Sequence, residues 1–129
     1  MHTMDLPEDL INAARSLGRA LRADPNVRAY LQAQARLQDN AKASDLEKRM
    51  LNLFADLSAR QRAGEDLKQA EVDEFYALRR QVQMHTVIVE RDAALNPVKR
   101  YFADVADEIN ILLGVDFTAL AQITDDGGV

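Results

Sequence analysis

Along most of the chain apolar residues return every three or four positions, the period of one face of an α-helix. Leu6, Leu10, Ala13, Ala14, Leu17 and Leu21 form the first such stripe, with Arg15, Arg19 and Arg22 on the other side. They predict a helix over 7–22, with Pro7 where a helix can begin. Asp24-Pro25 ends it, because the residue before a proline is pushed out of the helical region. The same pair starts the next helix: the Asp24 carboxylate can accept the first free amides, and Pro25 takes the first helical position, where its missing N–H costs nothing. Val27, Tyr30, Leu31, Gln34, Leu37 and Ala41 continue the period. The following series, Leu46, Met50, Leu53, Phe54 and Leu57, is offset by five residues from Ala41. A kink or new start is therefore predicted between about 39 and 45, with Ser44 as the cap of a Ser44-Asp45-Leu46-Glu47 capping box.

Gly64 marks the end of that helix and a hairpin turn. A third long helix is predicted over about 68–93, its seam made by Val72, Phe75, Leu78, Val82, His85 and Val89. Thr86-Val87-Ile88-Val89 is β-branched and by propensity alone suits a strand. No partner strand exists elsewhere in the sequence and the helical period runs through these residues, so they read as unbroken helix. Asn96-Pro97-Val98-Lys99-Arg100-Tyr101 repeats the phrase at Asp24, and Asn96 is predicted to cap a last helix. Its stripe is Val98, Phe102, Val105, Ile109 and Leu112, with Asp104, Asp107 and Glu108 alongside. Gly114 ends it, and Asp116 can cap a short turn carrying Phe117 and Leu120.

The expected fold is all-α: a single domain over 1–121, an elongated antiparallel bundle of four to five helices, with residues 122–129 a disordered tail. Burying an exposed Leu or Phe is worth roughly 1.5–3 kcal/mol, so long amphipathic helices in one short chain favour association. The expected oligomer or partner seam is Phe75, Leu78, Val82, His85 and Val89 on one helix and Val98, Phe102, Val105 and Ile109 on the next, giving a dimer or tetramer.

Composition narrows the chemistry. The chain has 129 residues, 47% of them hydrophobic, enough for one domain with a core. It carries no cysteine, which removes disulfides, thiolate catalysis and cysteine-ligated metals supplied by this chain alone. The formal charge of −5 disfavours nonspecific binding to nucleic acid or anionic membranes. With no basic-then-apolar leader and no apolar run of membrane length, the expected location is the cytoplasm. His2 and His85 are isolated, and His85 falls in the helical seam. Glu71, Asp73 and Glu74 fall in a first helical turn, where negative charge complements the helix dipole. No phosphate loop, G-x-S-x-G or HExxH phrase occurs, so no catalytic, cofactor-binding or metal-ligating residue is expected. Arg15, Arg19 and Arg22, and Arg79, Arg80 and Arg91, read as solvated faces or partner-binding stripes. Tyr30 and Tyr101 read as packing residues with a polar tip.

Taken in order, Ala14-Arg15-Ser16-Leu17-Gly18, the Asp24–Tyr30 entry, Leu53-Phe54-Ala55-Asp56-Leu57, Ala63-Gly64-Glu65-Asp66-Leu67, Leu95-Asn96-Pro97-Val98-Lys99-Arg100-Tyr101 and Ile109-Asn110-Ile111-Leu112-Leu113 resemble the YlbF/YmcA family of bacterial regulators, which includes the YheA-like proteins. The resemblance runs from about Leu10 to Leu120. It implies a non-enzymatic helical adaptor that assembles with itself or with family relatives. Its best-known members act in a complex influencing endoribonuclease-dependent RNA maturation and, through it, competence, sporulation and biofilm formation. Some members are thought to take part in iron–sulfur cluster binding; the absence of cysteine departs from them. The resemblance carries over no catalytic residues. The alternative reading is a self-associating helical scaffold or chaperone-like protein with no RNA link.

Overall fold

The structure, a computed structural model, describes residues 5–122. It consists of six helices: α1 (Glu8–Ala23), α2 (Pro25–Asp39), α3 (Ala41–Arg62), α4 (Gln69–Met84), α5 (Thr86–Leu113) and α6 (Phe117–Ala121). No strand occurs among the described residues, and Thr86-Val87-Ile88-Val89 is helical. The chain divides into two compact units, Met1–Leu95 and Asn96–Val129, and α5 runs through the boundary. The tail expected over 122–129 lies, apart from Gln122, outside the described residues, as does His2.

Within the first unit one local device recurs three times. Asp24, Asn40 and His85 each interrupt the helix for a single residue in extended backbone, so that each closes one helix and opens the next. Each donates its own N–H back to the carbonyl three residues earlier, at Leu21, Leu37 and Val82, over 3.1–3.2 Å. Each also turns its side chain forward. Asp24 Oδ2 accepts from the amides of Asn26 (2.9 Å) and Val27 (3.3 Å), Asn40 Oδ1 from Ala43 (3.0 Å), and His85 Nδ1 from Val87 (3.3 Å). Orphan amides at the new helix ends are thus satisfied without a loop.

The breaks correct two cap assignments. Ser44 lies inside α3, its amide bonded to the Asn40 carbonyl at 2.9 Å, because Asn40 stands one turn earlier and takes the capping role. Asn96 caps nothing: it lies within α5, and Pro97 is an interior residue of that helix. The helix expected over 68–93 ends instead at Met84, and α5 starts at Thr86. A histidine can accept an amide hydrogen bond much as asparagine does, whereas a proline can sit inside a helix at the loss of one backbone hydrogen bond.

Each break shifts the helical phase, since an extended residue advances along the chain without the 100° turn of a helical one. Leu37 and Ala43 flank Asn40, Val82 and Ile88 flank His85, and these four form the centre of the core. Ala43 and Ile88 are completely buried, with Leu46, Met50 and Val87 packed around the cluster. Two facing elbows, each contributing the residue three before and three after its cap, make the best-shielded point of the unit.

The α3–α4 hairpin turns at Gly64, whose φ of 86° is easy only for glycine. The Glu65 amide bonds the Arg60 carbonyl and the Gly64 amide that of Gln61, both at 3.0 Å, which is the Schellman closure of a helix end. Along the hairpin Leu57, Leu78 and Val82 are buried, and the rings of Phe54 and Phe75 meet with centroids 5.6 Å apart. α1 differs from every other long helix here: none of its residues is buried.

In the second unit Val98 is buried and Val105 and Ile109 are half-buried. Gly114, at φ 81°, stops α5. Asn110 Oδ1 accepts from the Phe117 amide at 2.7 Å, and Asp116 caps α6 through the amide of Ala119. α6 itself has no buried residue.

Candidate interaction surfaces

Two arginines organise the charged groups of the first unit. Arg60, near the end of α3, reaches across the hairpin to Glu71 in the first turn of α4 (Nη1–Oε2 2.5 Å, Nη2–Oε1 3.0 Å), a two-pronged contact, and also engages Glu65 and Asp56. The Arg60 guanidinium, with the Lys68 amide donating at 3.1 Å, holds the Glu71 carboxyl down to about 2, and Glu71 in turn raises Arg60. Arg91, on α5, reaches Glu47 of α3 through both terminal nitrogens and Gln34 of α2 at 3.3 Å. The pair is largely shielded, and Glu47, followed by Asp92, raises the Arg91 pKa despite partial burial. One guanidinium therefore ties together three helices beside the elbows.

These contacts account for groups that the sequence leaves undefined. Arg91 reads from sequence as a surface decoration, yet it joins positions 44 and 57 residues away. Nothing in the local pattern marks such a pairing. The role of His85 has a faint signal: it ends one apolar series just before a β-branched run that can restart a helix in a new phase. His85 is half-buried and its Nδ1 serves the backbone. Among the described residues no group of three or more His, Asp or Glu is placed to hold a metal ion, and no helix is long and apolar enough to cross a membrane.

The residues expected to form one continuous seam are divided by the break at His85. Leu78 and Val82 are buried inside the first unit, and Val82 belongs to the elbow core, so it packs within the chain. Phe75 is half-buried against Phe54 and Tyr76. Val89 is exposed, since the phase shift at His85 turns Ile88 inward in its place. On the later part of α5 Val98 is buried, Phe102 is exposed, and Val105 and Ile109 are half-buried.

Large apolar side chains lie open in two other places. On the first unit they include Leu6, Leu10 and Leu17 along the α1 face, besides Leu51, Phe54, Tyr76 and Met84 on the α3–α4 hairpin. On the second they are Ile111 and Leu112 at the end of α5, 73% and 89% exposed, followed by Val115, Phe117 and Leu120. Such grouped exposure is what interaction surfaces display, in contrast to single exposed leucines, which are ordinary.

No curated protein sequence matches the chain. A family model described as control of the competence regulator ComK, YlbF/YmcA, matches residues 10–111, which take in α2, α3 and α4 whole and all but the ends of α1 and α5. The chain, all-helical and built on capped elbows, belongs to the YlbF/YmcA family of regulators.

Proposed function

We propose that this chain is a cytoplasmic, non-catalytic adaptor that regulates by binding other proteins, and that its partners belong to endoribonuclease-dependent RNA processing. The observation that carries this reading is the open apolar surface at the end of the second unit, where Ile111, Leu112 and Leu120 stand largely in water. Side chains of this size are stabilised by roughly 1.5–3 kcal/mol each on burial, so a partner that covers them gains affinity from them. The best-shielded ion pairs among the described residues, Arg60 with Glu71 and Arg91 with Glu47, join helix to helix and so serve the fold. The family's regulatory description supports the same direction.

The test is affinity purification of the tagged protein from its native host at moderate salt, with mass spectrometry of the eluate and light scattering of the purified protein. Recovery of an endoribonuclease or of sister family proteins, lost when Ile111 and Leu112 are both replaced by Asp, is the expected result. A stable homo-oligomer that brings down neither would overturn the adaptor reading in favour of a self-contained scaffold.

A further inference from the structure

The leucine–alanine stripe of α1 is symmetric about its own midpoint, with the half-buried Ile11 lying outside the pattern. Counting outward from the Ala13–Ala14 bond, Ala13 matches Ala14, Leu10 matches Leu17, and Leu6, just before the helix, matches Leu21. Leucine answers leucine and alanine answers alanine. The charges run the other way: Asp5, Glu8 and Asp9 occupy the first half, and Arg15, Arg19 and Arg22 the second, so that Asp5 falls opposite Arg22 and Glu8 opposite Arg19 in the same count. None of the residues of α1 is buried, and Leu6, Leu10 and Leu17 are 53%, 52% and 41% exposed.

We infer that α1 is a self-recognition element, and that the occupant of its apolar face is α1 of a second copy of this chain, antiparallel, with the two-fold axis at Ala13–Ala14. In this arrangement Leu10 of each copy packs on Leu17 of the other and Leu6 on Leu21, while the small residues at the centre let the helices approach closely. The acidic half of one helix then lies along the basic half of the other, and the two helix dipoles oppose. A parallel pair would stack like charge on like charge from end to end. The charged side chains point away from the apolar face, so they set direction and do not form contacts across it; this orienting effect strengthens at low salt, where screening extends beyond about 8 Å. An isologous contact of this kind closes on itself and stops at two copies. With the axis at Ala13–Ala14 the two helices overlap over 8–19, about 18 Å, and bury less than the ~1,000 Å² of a tight interface, so the dimer is a reversible one. The inference stands apart from the adaptor reading, which rests on the other end of the chain.

The absence of cysteine makes a direct test clean. Single variants Ala14→Cys, Leu10→Cys and Leu17→Cys of the full chain are oxidised under native conditions, separately and as a mixture of the last two. The expected result is covalent dimer from Ala14→Cys alone and from the Leu10→Cys plus Leu17→Cys mixture, with little from either of those alone. Light scattering on the unmodified chain is expected to show mass rising towards the dimer with concentration, and loss of that rise in Leu10→Asp/Leu17→Asp with helicity unchanged by circular dichroism. Equal cross-linking of Leu10→Cys with itself would overturn the antiparallel pairing. A dimer that survives Leu10→Asp/Leu17→Asp, or a monomer at every concentration, would overturn α1 as the self-recognition element.

Discussion

The paired elbows at Asn40 and His85 and the helix α1 are built from similar amphipathic sequence, yet they stand at opposite extremes of the first unit. At the elbows two helix breaks face each other, four residues shut water out completely or nearly so, and Arg91 clamps α3 and α5 with Gln34 of α2 alongside. Along α1 a stripe of comparable apolarity leaves every residue at least partly open to water. The difference teaches that amphipathic pattern states only that a face wants to be covered. Whether it is covered from within the chain depends on where the breaks turn the helices, and a face left over is material for assembly.

The contrast can be broken most severely at its centre. Ile88→Ala is expected to cost about 2–5 kcal/mol in chemical denaturation, the range for removing a fully buried branched side chain. Leu10→Ala on α1 is expected to leave the denaturation midpoint of the monomer nearly unchanged. Equal losses would remove the distinction between the two regions. Next in size, Glu47→Ala leaves the shielded Arg91 with only the exposed carboxylate of Asp92, and a loss of roughly 1.5–3 kcal/mol is expected from the same measurement.

A smaller effect sharpens the role of the breaks. Asn40→Ala is expected to cost about 0.5–2 kcal/mol by removing the acceptor for the Ala43 amide, whereas Asn96→Ala, on the exposed surface of α5, is expected to cost nothing or to stabilise by a few tenths of a kcal/mol. A large loss at Asn96 would mean that α5 is divided there. The smallest effect lies at the hairpin. The Glu71 carboxyl is depressed from 4.5 to about 2, so its folded-state pKa lies below the unfolded one. Its contribution is present above about pH 4.5 and is lost as pH falls towards 2. Thermal melts of Glu71→Gln across that window are expected to show a shallower decline than the parent. Coincident curves would show that the contact with Arg60 adds nothing to stability.

Much of this fold is legible in the residues. The Asp24-Pro25 phrase, the periodic leucines and Gly64 state helices and a hairpin because capping, periodicity and positive φ are properties of a few adjacent residues. The break near 39–45 is likewise visible as a slip of phase, although its cap is Asn40 and not Ser44. The interaction surface is less legible. The stripe through Phe75, Val82 and Val89 looks continuous on a helical wheel, but one extended residue at His85 sends Val82 inward and Val89 outward.

The Asn96-Pro97 phrase shows the limit most plainly. It has the same local chemistry as Asp24-Pro25, yet one opens a helix and the other lies inside one. Local preferences differ by about a kcal/mol or less per residue for most side chains, so packing over many residues decides between them. By itself, then, the sequence determined the helical class, the family and the self-matching apolar face of α1, all carried by neighbours in the chain. Tertiary structure alone decided that His85 ends a helix, that Pro97 does not, and that Arg91 reaches back to Glu47 and Gln34, because each outcome rests on partners far away in sequence.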